Sequence, residues 1–396
     1  MSSPTSPVSV APSGSGAGSA DPRPVVLDYG DPAAEYATLR TGALLVDHGG
    51  RDIWIFQGSA ARETLAGLVT NDVVALAPGH GHYAAALTPK GRIIADVRIF
   101  ALADSAIAPE PQPRAAPARV EASTEESPWP QSAALLVDVP SRAADGWGTL
   151  IRKYVNPRLA TYRRETARVR SFGVYGMRAR DAVAEAFALP PAALGTLPPY
   201  GHATVETREG TMHVARVPDL GLDGFIVYAP TAAADAAWAR VAREPGVAPG
   251  GQRAWDVARI EAGRPEWGID IDEATIPQEG NFDDLHAISY TKGCYTGQEV
   301  VARVHFRGHV NRHLRGLAYP PDGGPIATGA RLIDENGRDV GDVRSVAISP
   351  RLGGIALGMV RREVAVGATL VARPTPPVPG PDADRLVTVS LLPFPL

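Results

Sequence analysis

Before about residue 312, apolar residues recur along the chain in two patterns, and each pattern predicts one kind of secondary structure. Short apolar or alternating runs bounded by Gly, Pro and Asp are typical of strands, whereas a 3.6-residue period is typical of amphipathic helices. The predicted strands are Asp52–Gln57, His82–Leu87, Arg92–Ala101, Ala134–Val139, Ala167–Tyr175, Met212–Val217 and Gly224–Ala229. The predicted helices are Ser59–Gly67, Ala143–Arg152, Asp181–Phe187, Ala232–Glu244 and Gln252–Gly263.

These strands and helices do not alternate strictly, and short polar turns such as Thr88–Gly91 join neighbouring strands. Turns of this kind connect antiparallel strands. The pattern therefore predicts an α+β fold with antiparallel sheets instead of a doubly wound parallel sheet. No Walker or Gly-x-Gly-x-x-Gly motif follows a predicted strand, which argues against nucleotide binding.

The pattern changes after about residue 312, where short apolar runs alternate with Gly, Pro and Asp turns. This pattern is typical of a small all-β domain. The predicted strands there are Leu314–Ala318, Arg331–Ile333, Asp342–Ile348, Gly353–Val360, Thr369–Ala372 and Arg385–Leu391. We therefore expect a body over residues 25–312 and a C-terminal β-barrel over residues 313–396.

Three Pro-rich segments interrupt these patterns. Residues 1–24 consist largely of Ser, Pro, Gly and Ala, which predicts a disordered tail because such a composition cannot bury a core. Residues 108–132 lie between two predicted strands and are interpreted as a mobile insertion in a hairpin connection. Pro374–Pro381 lies between the last two predicted strands.

Composition narrows the possible functions. With 396 residues the chain exceeds one usual domain, and its net charge of −4 gives no overall attraction to nucleic acid or anionic membranes. No apolar run is long enough to span a bilayer, and the N-terminus has no targeting pattern, so a cytoplasmic location is expected. The only cysteine excludes an intramolecular disulfide, a zinc site of several thiolates and a four-thiolate iron–sulfur cluster within one chain.

That cysteine, Cys294, precedes a predicted helix that starts at Gln298. Gly293 gives the backbone freedom just before it. A helix N-terminus and the neighbouring Lys292 both favour a thiolate over a thiol, which predicts an activated cysteine. The alternative is a small buried apolar side chain.

The same helix is expected to carry an ion pair. Glu299 and Arg303 are four residues apart in the order that favours pairing on one helical face.

The string Lys-Gly-Cys-Tyr-Thr-Gly-Gln-Glu at 292–299 belongs to a wider pattern. Together with Arg-Ile-Glu-Ala-Gly at 259–263, Gly-Ile-Asp-Ile-Asp at 268–272 and Pro-Gln-Glu-Gly at 277–280, it resembles the glycine-cleavage T-protein superfamily. The cysteine-bearing version resembles the YgfZ branch of that superfamily, because T-proteins carry a Phe-Ile-Gly type string there. Further similar segments are Leu65–Leu76, Tyr83–Asp96 and Leu220–Pro230.

The resemblance implies a GcvT/YgfZ-like fold, with two interleaved antiparallel α+β units around a central folate-type cavity and a small C-terminal β-barrel. It implies tetrahydrofolate as cofactor and a role in maturation or repair of iron–sulfur proteins, a function connected with tRNA modification. Folate and iron–sulfur client or assembly proteins are the expected partners. Because one chain has one thiol, any cluster would belong to a partner.

The resemblance also implies site residues. Cys294 is the expected reactive thiol, and Asp96 is the expected carboxylate facing folate, although an exposed strand position is the alternative for Asp96. The expected cofactor-binding residues are Lys292, Gly293, Tyr295, Gln298, Glu299, Arg303, Trp255 and Glu261. For Glu261 an exposed helical face is the alternative.

Three positions depart from the T-protein pattern. T-proteins have an Asp-Asp pair where this chain has Ala95 and Asp96, a Glu where it has Ile226, and an Arg where it has Trp255. Losing such groups argues against a working aminomethyltransferase, since a buried heterocycle would lose hydrogen bonds. That activity and a non-enzymatic assembly module stay open as alternatives, and whether the protein is an enzyme is left undecided.

A basic cluster follows the cysteine string. It contains Arg303, Arg307, Arg312 and Arg315, with His305, His309 and His313 between them. The arginines disfavour a metal site at the histidines. The cluster suits a folate polyglutamyl tail, a phosphate or RNA, or it is simply a solvated surface, and RNA ranks lowest.

Overall fold

The computed structural model describes residues 8–10, 25–102, 106–107, 127–130, 133–322, 324–376 and 384–395. Before the barrel, the strands are Val8–Val10 (β1), Val25–Asp28 (β2), Ala43–Asp47 (β3), Arg51–Gln57 (β4), Gly81–Leu87 (β5), Ile93–Ala101 (β6), Ala106–Ile107 (β7), Ala134–Pro140 (β8), Thr161–Arg164 (β9), Val169–Tyr175 (β10), His202–Thr207 (β11), Gly210–Arg216 (β12), Gly224–Pro230 (β13) and Val247–Pro249 (β14). The α-helices are Pro32–Thr41 (α1), Ala61–Ala66 (α2), Ala144–Tyr154 (α3), Ala179–Phe187 (α4), Pro191–Gly195 (α5), Thr231–Ala242 (α6), Gln252–Glu261 (α7) and Gln298–Arg307 (α8).

These strands form two main sheets within the described residues. The first sheet has the order β5-β6-β8-β4-β9, and the second has the order β14-β3-β10-β13-β12-β11-β7. All pairs are antiparallel except two short parallel pairs at the edges of the second sheet, β14 with β3 and β11 with β7. The chain enters the second sheet through β3, builds the first sheet from β4 to β9 with only β7 placed at the edge of the second, and then returns through β10, so the two units interleave.

The two sheets face each other across a shared core. Tyr83 and Phe100 of the first sheet pack there with Tyr175 and Tyr228 of the second sheet. Helices α2 and α3 cover the outer face of the first sheet, and α4 and α6 cover the outer face of the second. Residues on the inner faces are thus enclosed by apolar layers on both sides.

The C-terminal strands close into a barrel with the order β15-β18-β17-β16-β19-β20. Their bounds are Arg312–Tyr319 (β15), Arg331–Ile333 (β16), Asp339–Ser349 (β17), Gly353–Arg361 (β18), Thr369–Arg373 (β19) and Arg385–Ser390 (β20). The barrel core contains Leu317, Leu332, Val343 and Val389, all at most 1% exposed. The α+β class, the antiparallel sheets and the closed C-terminal β-barrel are confirmed.

The Pro-rich segments lie largely outside the described residues. Within the predicted disordered tail of residues 1–24, β1 is described and pairs antiparallel with β2. Within the predicted mobile insertion of residues 108–132, only residues 127–130 are described. Trp129 there is buried, and its indole Nε1 donates to the Thr211 carbonyl over 2.7 Å, so this end of the insertion is anchored on the second sheet.

Candidate functional site

A group of buried charged residues lies between the two sheets. We call Arg51, Asp96, Arg98, Asp138, Asp219 and Arg264 the central charged cluster. Arg98 on β6 donates to Asp138 on β8 over 3.0 Å and to Asp219, in the loop after β12, over 2.7 Å. Asp138 also accepts from Arg51 on β4 and from the Tyr228 hydroxyl, which is 2.7 Å away on β13. The cluster therefore connects both sheets.

Mutual pairing keeps these groups charged although they are buried. Burial alone would raise the pKa of Asp138, but Arg51 and Arg98 lower it to about 2. The same competition lowers the pKa of Asp219, where Arg98 and Arg264 overcome the effect of burial. At neutral pH both carboxylates are ionised, which is the state that a guanidinium binds most strongly.

Some polar atoms of the cluster lack a hydrogen-bond partner. Asp96 is 5% exposed, its Oδ2 accepts from the Tyr83 hydroxyl over 3.0 Å, and it lies 3.8 Å from Arg51 Nη1. Its other oxygen, Oδ1, is buried and accepts no hydrogen bond within the described part of the chain. Asp219 Oδ1 also accepts no hydrogen bond there, but it lies 3.3 Å from Arg264 Nη2. Arg98 Nε is likewise a buried donor without an acceptor there. Since buried polar groups are normally satisfied, these atoms indicate a place for a polar ligand.

Aromatic rings border the cluster on one side. The rings of Tyr83 and Tyr200 are nearly parallel, at an interplanar angle of 7° and a centroid separation of 6.4 Å. Phe282 stacks against Tyr83 at 5.3 Å, and the Arg264 guanidinium carbon lies 3.9 Å from the Tyr83 ring centroid. This wall offers flat apolar faces beside charged groups.

Trp255 belongs to a separate aromatic group on α7. Its ring lies 5.1 Å from both the His48 ring and the Tyr175 ring. His48 Nε2 is 2.7 Å from the Tyr175 hydroxyl oxygen, and burial together with Arg98 lowers the pKa of His48 to about 3. The partly buried Trp255 thus packs in the shared core near the cluster.

Glu261 does not line this region, which differs from the prediction. Its carboxylate accepts from the Tyr36 hydroxyl at 2.7 and 2.9 Å, from Ser349 Oγ and from Arg351 Nη2 at 3.1 Å. Glu261 is 7% exposed, so the expected exposed helical face is also wrong. The contacts make Glu261 a link between α1, α7 and the barrel.

The cysteine segment, residues 292–299, lies on the surface. Cys294 is exposed, so the alternative of a buried apolar cysteine is wrong. A side chain at Gly293 would meet no heavy atom within 4 Å, so this glycine is not required by crowding. Gly297 ends the loop with φ 83° and precedes α8. Helix α8 starts at Gln298, as predicted.

The Lys292 side chain extends to the end of α2 and the turn that follows it. Its Nζ donates to the carbonyls of Ala66, Val69 at 2.7 Å and Asn71 at 3.0 Å. The ammonium also lies 4.7 Å from the ring centroid of Tyr295. Burial lowers the pKa of Lys292 to about 8. The charge of Lys292 is therefore engaged by backbone dipoles at the end of α2.

Tyr295 and Gln298 hold the loop together. The Tyr295 N–H donates to Gln298 Oε1 over 3.0 Å, and the Gln298 backbone N–H donates to the Tyr295 carbonyl over 3.2 Å. Thr296 donates its N–H to the Gly67 carbonyl over 3.0 Å. These bonds fix the cysteine segment to the turn after α2.

The structure changes two further predictions for the residues after Cys294. Glu299 and Arg303 are both exposed and form no ion pair, so the predicted pairing is wrong. Arg312 is not a free cation, because it donates to Glu279 over 3.0 and 3.2 Å. Within the described residues, no hydrogen bond or ion pair joins the cysteine segment to the central charged cluster.

The sequence prediction missed most of the cluster. It identified Asp96 but none of the other members. A usable signal exists, because Arg98 and Asp138 each interrupt a strand whose other residues are buried and mostly apolar. A charge inside such a strand requires a buried partner.

The described ranges contain no group of three or more His, Cys, Asp and Glu side chains arranged to hold a metal ion. None of the helices described has the length and apolar character needed to cross a membrane.

Comparisons with known proteins agree with this architecture. Residues 134–288 match the GCVT N-terminal domain, and residues 312–375 match the glycine cleavage T-protein C-terminal barrel domain. The crystal structure of glycine cleavage system aminomethyltransferase T from Bartonella henselae superposes with a TM-score of 0.75 at 20% identity, covering 94% of this chain and 92% of that one. This likeness shows a shared fold.

Relatives in sequence carry two kinds of name. An aminomethyltransferase of Bordetella pertussis is 30% identical over 349 residues, which are 86% of this chain and 82% of the relative. The tRNA-modifying protein YgfZ of Yersinia enterocolitica is 31% identical over 228 residues, but this covers 57% of this chain and 63% of that protein. The matched domains and the long alignment lead to one conclusion: the chain belongs to the glycine-cleavage T-protein (aminomethyltransferase) superfamily.

Proposed function

We propose that the protein binds tetrahydrofolate with its pterin at the central charged cluster. The observation that carries the proposal is Asp96 Oδ1, a buried carboxylate oxygen without a hydrogen-bond partner in the part of the chain described. A pterin carries N–H donors that suit such an oxygen and a carbonyl that suits a guanidinium. Relatives named aminomethyltransferase support a folate ligand.

Different residues of the cluster would contact different groups of the pterin. Asp96 would accept from a ring N–H, while Tyr83 and Arg51 hold its carboxylate in place from the other side. Arg98 Nε is the available donor for a ring carbonyl. Bound tetrahydrofolate supplies nitrogen atoms that carry one-carbon units, and Asp96 would orient those atoms.

The binding proposal is tested by calorimetry with tetrahydrofolate. Asp96→Asn should weaken binding by roughly tenfold or more, because an amide replaces a buried charged acceptor. Asp145→Asn on the exposed side of α3 is the matched control and should bind like the wild type. Absence of wild-type binding at millimolar ligand would favour a non-enzymatic assembly module.

Aminomethyl transfer to folate is the first candidate activity. It is supported by relatives of that name, including one from Ralstonia pickettii that is 27% identical over 93% of this chain and 90% of its own length. Incubation with an aminomethyl-loaded lipoyl carrier protein and tetrahydrofolate tests it, with methylenetetrahydrofolate as the product measured. Ala95, Ile226 and Trp255 lead us to expect slow turnover.

Maturation or repair of iron–sulfur proteins through Cys294 is the second candidate activity. It is favoured by an exposed thiol on a loop that Lys292 and Thr296 fix in place. We expect Cys294→Ala to fail where wild type restores iron–sulfur enzyme activity to a deletion strain. Full restoration by Cys294→Ala, with normal folate binding, would eliminate this activity while leaving the folate proposal intact.

A further inference from the structure

A pocket of about 270 Å³ lies between the turn before β11 and the loop of residues 217–223, which joins β12 to β13. We call it the loop pocket. No member of the central charged cluster lines it. Four apolar side chains line it together with one arginine and one aspartate, and these residues are Pro199, Val217, Pro218, Leu222, Arg216 and Asp223.

Backbone hydrogen bonds fix the parts of the chain that form the loop pocket. The Tyr200 N–H, in the turn before β11, donates to the Arg216 carbonyl at the end of β12 over 2.8 Å. The Asp223 carbonyl, at the end of the loop, accepts from the Gly176 N–H over 3.0 Å. The pocket is therefore preformed, as small-molecule sites usually are.

Two guanidinium groups share one carboxylate at this pocket. Asp223 Oδ1 accepts from Arg216 Nη2 over 2.8 Å, and Asp223 Oδ2 accepts from Arg180 on α4. Burial alone would raise the pKa of Asp223, but the hydrogen bonds from Arg180 and Arg216 lower it, so the carboxylate is ionised at neutral pH. Two cations and one anion leave an excess of positive charge.

Arg216 has hydrogen-bond donors to spare. A guanidinium carries five N–H donors. Within the described residues, Arg216 donates from Nη1 to the Leu197 carbonyl over 2.7 Å and from Nη2 to Asp223, and its Nε donates no hydrogen bond. The Arg216 side chain is 31% exposed. A further oxygen acceptor can therefore reach it without breaking the pair with Asp223.

We propose that the loop pocket binds a small monocarboxylate with an apolar body. The carboxylate would pair with Arg216 through charge-assisted hydrogen bonds, and the apolar body would cover Val217 and Leu222. The ligand is small because the pocket lies below the roughly 300–1,000 Å³ of drug-sized sites. This binding is independent of the folate proposal, although Asp219, which accepts from Arg98 in the central charged cluster, belongs to the same loop.

Titration of the protein with benzoate, followed by saturation-transfer NMR, tests the proposal. Benzoate carries one carboxylate on one apolar ring, and we expect a dissociation constant of roughly 1 mM for a ligand of this size. Benzyl alcohol keeps the ring without the charge, and inorganic phosphate keeps a charge without the ring. Both should bind roughly tenfold more weakly, since each loses one of the two contributions.

Two variants locate the bound benzoate. Arg216→Met removes the cation and should weaken binding roughly tenfold. Leu222→Trp leaves both arginines in place but fills the pocket with a larger side chain, and it should weaken binding by a similar factor.

Arg240→Met is the matched control. Arg240 on α6 pairs with Glu209, and their side chains are 32% and 29% exposed, close to the 31% and 23% of Arg216 and Asp223. Glu209 lies in the turn before β12, whereas the loop pocket lies after that strand, so benzoate affinity should stay unchanged.

Circular dichroism verifies that each variant is folded. If Arg216→Met fails to fold, Leu222→Trp still decides the outcome because it keeps the ion pairs. The proposal is overturned if benzoate shows no saturable binding up to about 20 mM. It is also overturned if benzyl alcohol or phosphate binds as tightly as benzoate, or if Leu222→Trp keeps the full affinity.

Discussion

The central charged cluster and the cysteine segment are both rich in polar groups, but they use charge in opposite ways. In the cluster, Asp138 is fully buried and receives donors from two arginines and a tyrosine. In the segment, the partly buried Lys292 donates to backbone carbonyls, and Cys294 is exposed.

This difference means that the two regions should respond differently to substitution. Each buried ion in the cluster is stabilised by the others, so the removal of one leaves its partners buried without a counter-charge. The cysteine segment is held by hydrogen bonds from Lys292 and Thr296 to backbone carbonyls at and after the end of α2, so changes in it should have mainly local effects. We therefore expect large energetic effects in the cluster and small ones in the segment.

Arg98→Met should give the largest effect. It leaves Asp138 and Asp219 without a shared cation between the sheets, and breaking a buried pair in this way costs about 3–5 kcal/mol. Urea denaturation measures the free energy of unfolding. Arg303→Met on exposed α8 is the control, expected within about 0.5 kcal/mol of wild type. A cost below about 1 kcal/mol for Arg98→Met would mean that the cluster is not interdependent.

Acid should give the next largest effect, through the buried imidazoles of His202 and His213. Burial lowers the pKa of His202 to about 4 and of His213 to about 3, from the ordinary 6.5. The unfolded chain takes up these protons below pH 6.5 and the folded chain does not, so stability falls as pH drops from 6.5 toward 3. At pH 5 the loss is about 2 kcal/mol per imidazole.

Unfolding at pH 7.5 and pH 5 measures that loss. His213→Gln should remove about 2 kcal/mol of the pH dependence. Retention of the full wild-type loss in His213→Gln would show that this buried imidazole is not its source.

Lys292→Met should have an intermediate effect that stays local. It leaves three carbonyls near α2 without their shared donor, at a cost of about 1–2 kcal/mol. Hydrogen exchange should accelerate at the Thr296 amide, and Cys294 should react faster with an alkylating agent. Lys90→Met, an exposed lysine in the turn before β6, is the control. Unchanged exchange at Thr296 would mean that Lys292 does not fix the loop.

Glu299→Ala should give the smallest effect. The exposed carboxylate forms no ion pair with Arg303, so only a weak interaction with the start of α8 is lost. We expect thermal unfolding to show a change below about 0.5 kcal/mol. A larger loss would show that the segment contributes to stability through a contact other than Lys292.

The sequence predicted the fold better than the site. All six barrel strands were predicted close to their observed bounds, because each apolar run is flanked by turn residues. Helix α1 and strand β3 were not predicted, and for β3 the reason is that its apolar run of four residues, Ala43 to Val46, is too short to show a period. Asp96 was identified through its motif. Arg98 and Asp219 are 121 residues apart in the chain, and no local pattern specifies such a contact.

The carboxylate of Glu261 has a consequence for dissecting the protein. Its partners Ser349 and Arg351 come from the barrel, and Glu279 reaches Arg312 at the barrel's first strand. A body cut from the chain at about residue 312 would keep Glu261 and Glu279 but lose these partners, and each would become a partly uncovered anion. The sequence pattern changes sharply at about residue 312, but the unfolding of the body and of the barrel is therefore coupled across that point. Body and barrel should melt in one transition, and shortened versions for crystallisation or display should keep both.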